Sequence, residues 1–161
     1  MPIIKLETQI AADIQLVFDL ARSIDLHKIS TKKTNEEAIA GRTSGLIELN
    51  ESVTWRAKHL GIVQTLTSLI TQMEKPYSFT DEMTDGAFQK IKHIHSFSDN
   101  SSGTLMTDFF EFESPFGFLG VIANQIFLKD YLTRLLKKRN SVIKDFAESE
   151  KWKKVLQNPI T

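Results

Sequence analysis

At Ser114-Pro115-Phe116-Gly117 the hydrophobic period of this chain changes. On the N-terminal side, Thr104, Met106, Asp108, Phe110 and Phe112 form an apolar-biased set at every second position, the period of a half-buried strand. On the C-terminal side, Leu119, Ile122, Ile126, Leu132, Leu135, Leu136, Ile143 and Phe146 draw an apolar stripe at helical spacing, ending near residue 148. At about 1.5 Å per residue such a helix spans more than about 40 Å, enough to cross a small domain.

Upstream, residues 38–108 are rich in Val, Ile, Thr, Phe and Trp. Turn residues recur at Gly41, Gly45, Asn50-Glu51, Leu60-Gly61, Lys75-Pro76, Asp85-Gly86 and 99–103. The pattern predicts strands over 46–49, 53–59, 63–73, 77–83, 88–97 and 104–112, joined by connections short enough for hairpins. At the start of the chain, Ile4, Leu6, Thr8 and Ile10 alternate with Lys5, Glu7 and Gln9, which gives a first strand. Ile14, Val17, Phe18 and Ala21 then recur at helical spacing, and a second short segment at 23–30 follows. The order is strand, two short helices, six strands, long helix. A seven-stranded antiparallel sheet of this kind needs a cover for its buried face, and only the last helix is long enough to provide it, so the sheet must curve around that helix.

The 161 residues suit a single domain, expected over 1–148, with a polar C-terminal tail over 149–161 that frays. Twenty basic side chains balance twenty acidic ones, so no net field favours nucleic acid or an anionic surface. Cysteine is absent, which removes disulfides, thiolate nucleophiles and Cys-based zinc sites and suits a reducing compartment. With no signal-like N-terminus and no apolar run of 18 residues, the expectation is a cytoplasmic protein that does not insert into a membrane.

The order of elements is joined by the stretches Val53-Thr54-Trp55-Arg56-Ala57-Lys58-His59-Leu60-Gly61, Phe79-Thr80-Asp81-Glu82-Met83, Gly86-Ala87-Phe88, His93-Ile94-His95-Ser96-Phe97, Thr104-Leu105-Met106-Thr107-Asp108 and Ser114-Pro115-Phe116-Gly117. Together they resemble the helix-grip, or START-like SRPBCC, superfamily and within it an uncharacterised bacterial ligand-binding group. The resemblance implies an α+β fold with a deep cavity between sheet and C-terminal helix, filled by a lipid, polyketide or other small hydrophobic molecule. It supplies no shared catalytic residue and no cofactor, and fold-level analogy gives a class of behaviour rather than a reaction.

Alternation identifies the side chains that share the inner face. Ile91, His93, His95 and Phe97 point one way, and Lys90, Lys92 and Ser96 the other. Backbone positions of two histidines at this spacing lie about 6.5–7 Å apart. A hairpin closed by residues 98–103 brings His93 near Asp108 and His95 near Met106. The preceding strand adds Tyr77, Phe79, Asp81 and Met83, and Trp55 and His59 join from the strand at 53–59. The candidate ligand-binding set is thus Trp55, Tyr77, Phe79, Phe97, Met106 and Phe110 as apolar wall, with His59, Asp81, His93, His95 and Asp108 as orienting groups.

Three readings fit these polar residues. Buried His and Asp satisfy each other structurally; they orient a mostly apolar ligand; or a His beside an Asp serves as acid or base in a cyclase- or hydrolase-like enzyme. The last lacks an accompanying nucleophile, and no residue is assigned a catalytic role. A His-x-His pair holds zinc only with a third ligand and supporting outer groups, which alternation does not supply, so no metal is assigned. A protein-interaction module like the heat-shock ATPase activators is a further alternative, through the convex side of the sheet. The Lys137-Lys138-Arg139 run reads as the solvated side of the last helix, with Arg139-Asn140 reaching into the cavity mouth as the alternative. Ligand identity and oligomeric state are not legible.

Overall fold

The computed structural model describes residues 1–114 and 118–156. The expected helix entry at Gly117, the cavity rim around Pro115 and the terminal Asn158-Pro159 lie outside the described residues. The chain runs β1 (Ile3–Ile10), α1 (Ile14–Ala21), α2 (Ile24–Ser30), a 3-10 turn (Lys32–Thr34), β2 (Glu37–Gly41), β3 (Ser52–His59), β4 (Ile62–Glu74), β5 (Ser78–Gly86), β6 (Lys90–Asn100), β7 (Gly103–Glu113) and α3 (Phe118–Ala147). A second 3-10 turn (Glu150–Trp152) and a single turn, α4 (Lys153–Leu156), follow.

Seven antiparallel strands form one curved sheet in the order β1-β7-β6-β5-β4-β3-β2, as the alternation requires. Register shifts between Thr67 and Ser68 and between Ile70 and Gln72, on β4 against β5, insert bends of the kind that wrap a sheet around a helix. The last helix lies in that wrap: among its residues with described side chains, Leu136, Arg139, Asn140, Ile143, Phe146 and Ala147 are buried, spaced at three and four residues.

Both short helices begin on capping side chains. Asp13 accepts from the amides of Gln15 and Leu16, and Ser23 accepts from that of Leu26. They close one end of the sheet around Phe18, which is fully buried and meets Phe79 and Phe97 edge-on at centroid distances of 5.7 and 5.5 Å. A second apolar cluster, Ile4, Ile91, Phe110, Phe112 and Leu136, fills the other end.

Three local expectations are corrected. Residues 46–49 are no strand, and the seventh strand is instead Glu37–Gly41. The backbone of Ile47 is taken by the end of α1: its amide donates to the Arg22 carbonyl and its carbonyl accepts from the Arg22 guanidinium, so it is lost to the sheet ladder. The β6–β7 hairpin closes tightly between Asn100 and Gly103, so His95 pairs with Asp108, His93 with Phe110 and Phe97 with Met106. This is two residues from the expected register, and a shift of two keeps every side chain on its expected face. Gly103, at φ 119°, permits the tight closure: a Cβ there would stand 2.3 Å from the Ile10 carbonyl oxygen at the end of β1. Finally, the segment expected to fray is helical through Leu156, with Trp152, Val155 and Leu156 partly buried against the core around Phe18.

Candidate functional site

Between the inner face of the sheet and α3 lies a cavity of about 490 Å³. Its wall is largely apolar, with Ile24, Ile70, Ile91, Leu132 and Leu136 among its residues, and all four histidines of the chain line it. Polar groups gather at two places.

The first is on β5, β6 and β7. His93 donates from Nε2 to Asp108 Oδ1 at 2.8 Å, and His95 Nε2 lies 3.0 Å from Asp81 Oδ2. The two imidazoles lean together, centroids 3.7 Å apart, closer than their backbone spacing. Phe79 stacks on His95 at 4.1 Å and Phe110 meets His93 edge-on at 5.1 Å, which fixes both rings. Asp108 is wholly buried behind them. Its second oxygen accepts from Asn140 Nδ2 at 2.7 Å, and the Arg139 guanidinium stands 3.6 Å from the first. Arg139 also donates to the Ala21 carbonyl at the C-terminal end of α1, where positive charge meets the helix dipole favourably.

Burial alone would raise the Asp108 carboxyl, but its contacts with His93 and His95 outweigh burial and hold it far below the usual range. Burial, reinforced by the neighbouring His95, pushes the His93 imidazole down to about 4 against the pull of Asp108. For Asp81, burial would raise the carboxyl, but the hydrogen bond from His95 and the charges of His93, His95 and Arg139 together hold it below the ordinary value.

The second polar group sits across the cavity. His27 Nε2 lies 2.7 Å from Glu36 Oε2, His59 Nε2 lies 3.6 Å from Glu36 Oε1, and His59 Nδ1 meets the Tyr131 hydroxyl at 2.9 Å. The His27 ring lies against Trp55 at 4.2 Å. This links α2, the approach to β2, β3 and α3.

Of the residues singled out from the sequence, Trp55, His59, Phe79, Asp81, His93, His95 and Phe110 line the cavity. Asp108 stands immediately behind the histidines. Phe97 and Met106 are buried in the core around Phe18 instead, and Tyr77 is 54% exposed outside the cavity, because it precedes β5 and escapes that strand's alternation. Lys137 and Lys138 are exposed, as a solvated face requires, whereas Arg139 is buried and lines the cavity; Asn140 is buried on Asp108 and does not line it. His27, Glu36 and Tyr131 were not anticipated. Tyr131 stands four residues before Leu135 on the helical stripe, a signal the sequence did carry; Glu36 lies in a loop whose position only tertiary contacts fix.

A curved antiparallel sheet gripping a long helix, with a cavity between them, is a helix-grip α+β fold. No family model matches the chain, and no curated protein matches it. Solved structures do. The protein TTHA0849 from Thermus thermophilus superposes with a TM-score of 0.69 at 18% identity, covering 88% of this chain and 97% of that one. A START superfamily protein from Mycobacterium smegmatis gives 0.68 at 11%, covering 89% and 98%. The major latex-like protein 151 of Panax ginseng gives 0.66 at 15%, covering 91% and 97%. The chain shares the helix-grip fold of these solved structures.

Proposed function

We propose that this protein binds or carries a small, mostly apolar molecule, of lipid or polyketide character, in the cavity between sheet and α3. The observation that carries the reading is the cavity of about 490 Å³, apolar over most of its wall with polar groups converging at two places, the anatomy of a small-molecule pocket. The apolar body of the ligand would lie against Ile70, Leu132 and Leu136, with a polar end at His93, His95 and Arg139. The cysteine-free sequence supports action in a reducing, cytoplasmic setting, and among the described residues no helix is long and apolar enough to cross a membrane. An acid–base role for His93 is less well supported, since an imidazole held near 4 is a weak proton acceptor at neutral pH.

The test is binding of an apolar fluorophore, anilinonaphthalene sulfonate, to wild type and to Ala57→Phe and Ser68→Leu, which fill the cavity from β3 and β4. Saturable binding of one probe per chain, lost in both folded variants, is the expected result. Non-saturable binding, or binding indifferent to filling, removes the proposal. Native mass spectrometry of protein purified gently from its own host, followed by denaturing extraction, then identifies the class of resident molecule.

A further inference from the structure

We propose that Asp81, His93 and His95 form a binding site for one divalent transition-metal ion, opening into the cavity. The three residues come from the paired strands β5 and β6. They offer one ligand atom each with none more than 4.8 Å from another. Ligands about 2.0–2.2 Å from a tetrahedral ion stand roughly 3.3–3.5 Å apart, so small side-chain rotations close the triangle. Two imidazoles and a carboxylate form a donor set suited to zinc or ferrous iron. All three residues line the cavity, which leaves the remaining coordination positions facing it.

The groups behind the ligands are those a metal site requires. Asp108 accepts the Nε2 proton of His93, which leaves Nδ1 of that ring with its lone pair for an ion. The same Asp108 oxygen stands 3.1 Å from His95 Nδ1. Asn140 and Arg139 hold Asp108 in turn. One buried carboxylate thus addresses the outer nitrogens of both histidines.

His95 supplies the decisive observation. The residue is 2% exposed, and its Nδ1 makes no directed hydrogen bond, although Asp108 is near. While Nε2 donates to Asp81, a neutral His95 turns the lone pair of Nδ1 toward a carboxylate oxygen, acceptor against acceptor. If an ion takes the Nε2 lone pair together with an Asp81 oxygen, the ring proton moves to Nδ1 and points at Asp108. The buried nitrogen then has a partner. The inference does not require that an organic ligand occupy the cavity, and its failure would leave the binding reading intact.

The experiment titrates chelator-stripped protein with Zn²⁺ by calorimetry and with Co²⁺ by visible absorption. One ion per chain at micromolar affinity or tighter is expected, with cobalt bands of a low-symmetry nitrogen and oxygen site. Asp81→Asn and His95→Gln should each weaken binding at least about 100-fold. Asp108→Asn, which keeps all three ligands, should weaken it about 10–100-fold. Circular dichroism and cooperative unfolding establish that each variant is folded; should His95→Gln fail, Asp81→Asn, at a side chain partly open to the cavity, stands alone. Wild type that binds neither ion, or binds no tighter than folded Asp81→Asn, overturns the proposal and leaves a protonated His95 bridging two carboxylates as the explanation of the geometry.

Discussion

Asn140, on the long helix, donates to Asp108 on β7 across 2.7 Å, and both residues are buried. This is a side-chain hydrogen bond to a buried carboxylate that joins helix to sheet at the cavity wall. Asn140→Ala removes one donor from an anion that water cannot reach, and should cost about 1–3 kcal/mol. Urea unfolding measures it. In a double-mutant cycle with Asp108→Asn, the coupling should be about 0.5–3 kcal/mol; strict additivity would show that the bond contributes nothing.

Phe18 is enclosed by Phe79 and Phe97 and has no exposed surface. Truncation to Ala leaves a void between α1 and the sheet and should destabilise the protein by about 3–5 kcal/mol. A loss under about 1 kcal/mol in chemical denaturation would mean that α1 collapses into the gap.

The Glu36 carboxyl gives a pH dependence of definite sign. Burial would raise it, but the hydrogen bond from His27 and the charges of His27 and His59 bring it below 4.5. A carboxyl depressed in the folded state contributes stability that is fully present above its unfolded value. That contribution is lost as pH falls through the folded value. Glu36→Gln should therefore be less stable than wild type at neutral pH and show a shallower loss below about pH 4.5. Parallel acid limbs in the two proteins would contradict this.

Trp55 lines the cavity with His27 against its ring, whereas Trp152, in the C-terminal 3-10 turn, does not line it and packs against the core around Phe18. In a Trp152→Phe background, the remaining emission should change on addition of an apolar ligand and saturate at one equivalent. Ala57→Phe should abolish the change. An emission blind to a ligand shown by calorimetry to bind would place that ligand elsewhere.

Local rules carried most of the fold. The alternation from Ile91 to Phe97 and from Thr104 to Phe112, and the stripe ending at Ile143 and Phe146, fix strand faces and the buried side of the helix. A period is a property of successive residues and needs no partner to be read. The inward pointing of His93, His95, Asp81 and Asp108 follows from the same parity, which survives a register shift of two.

Tertiary structure decided what parity cannot. The closure of β6–β7 at Asn100 and Gly103 depends on how near Gly103 comes to Ile10, a contact across 93 residues of chain. Residues 46–49 left the sheet because the Arg22 backbone and side chain claim Ile47, and Arg139 turned inward because Asp108 and the end of α1 wait for it. Two histidines set apart by strand geometry meet at 3.7 Å because Asp108 and Asp81 draw their rings, and Glu36 reaches the cavity through His27 and His59. In each case the outcome rests on pairing buried polar groups between distant segments, and that pairing exists only once the chain has folded.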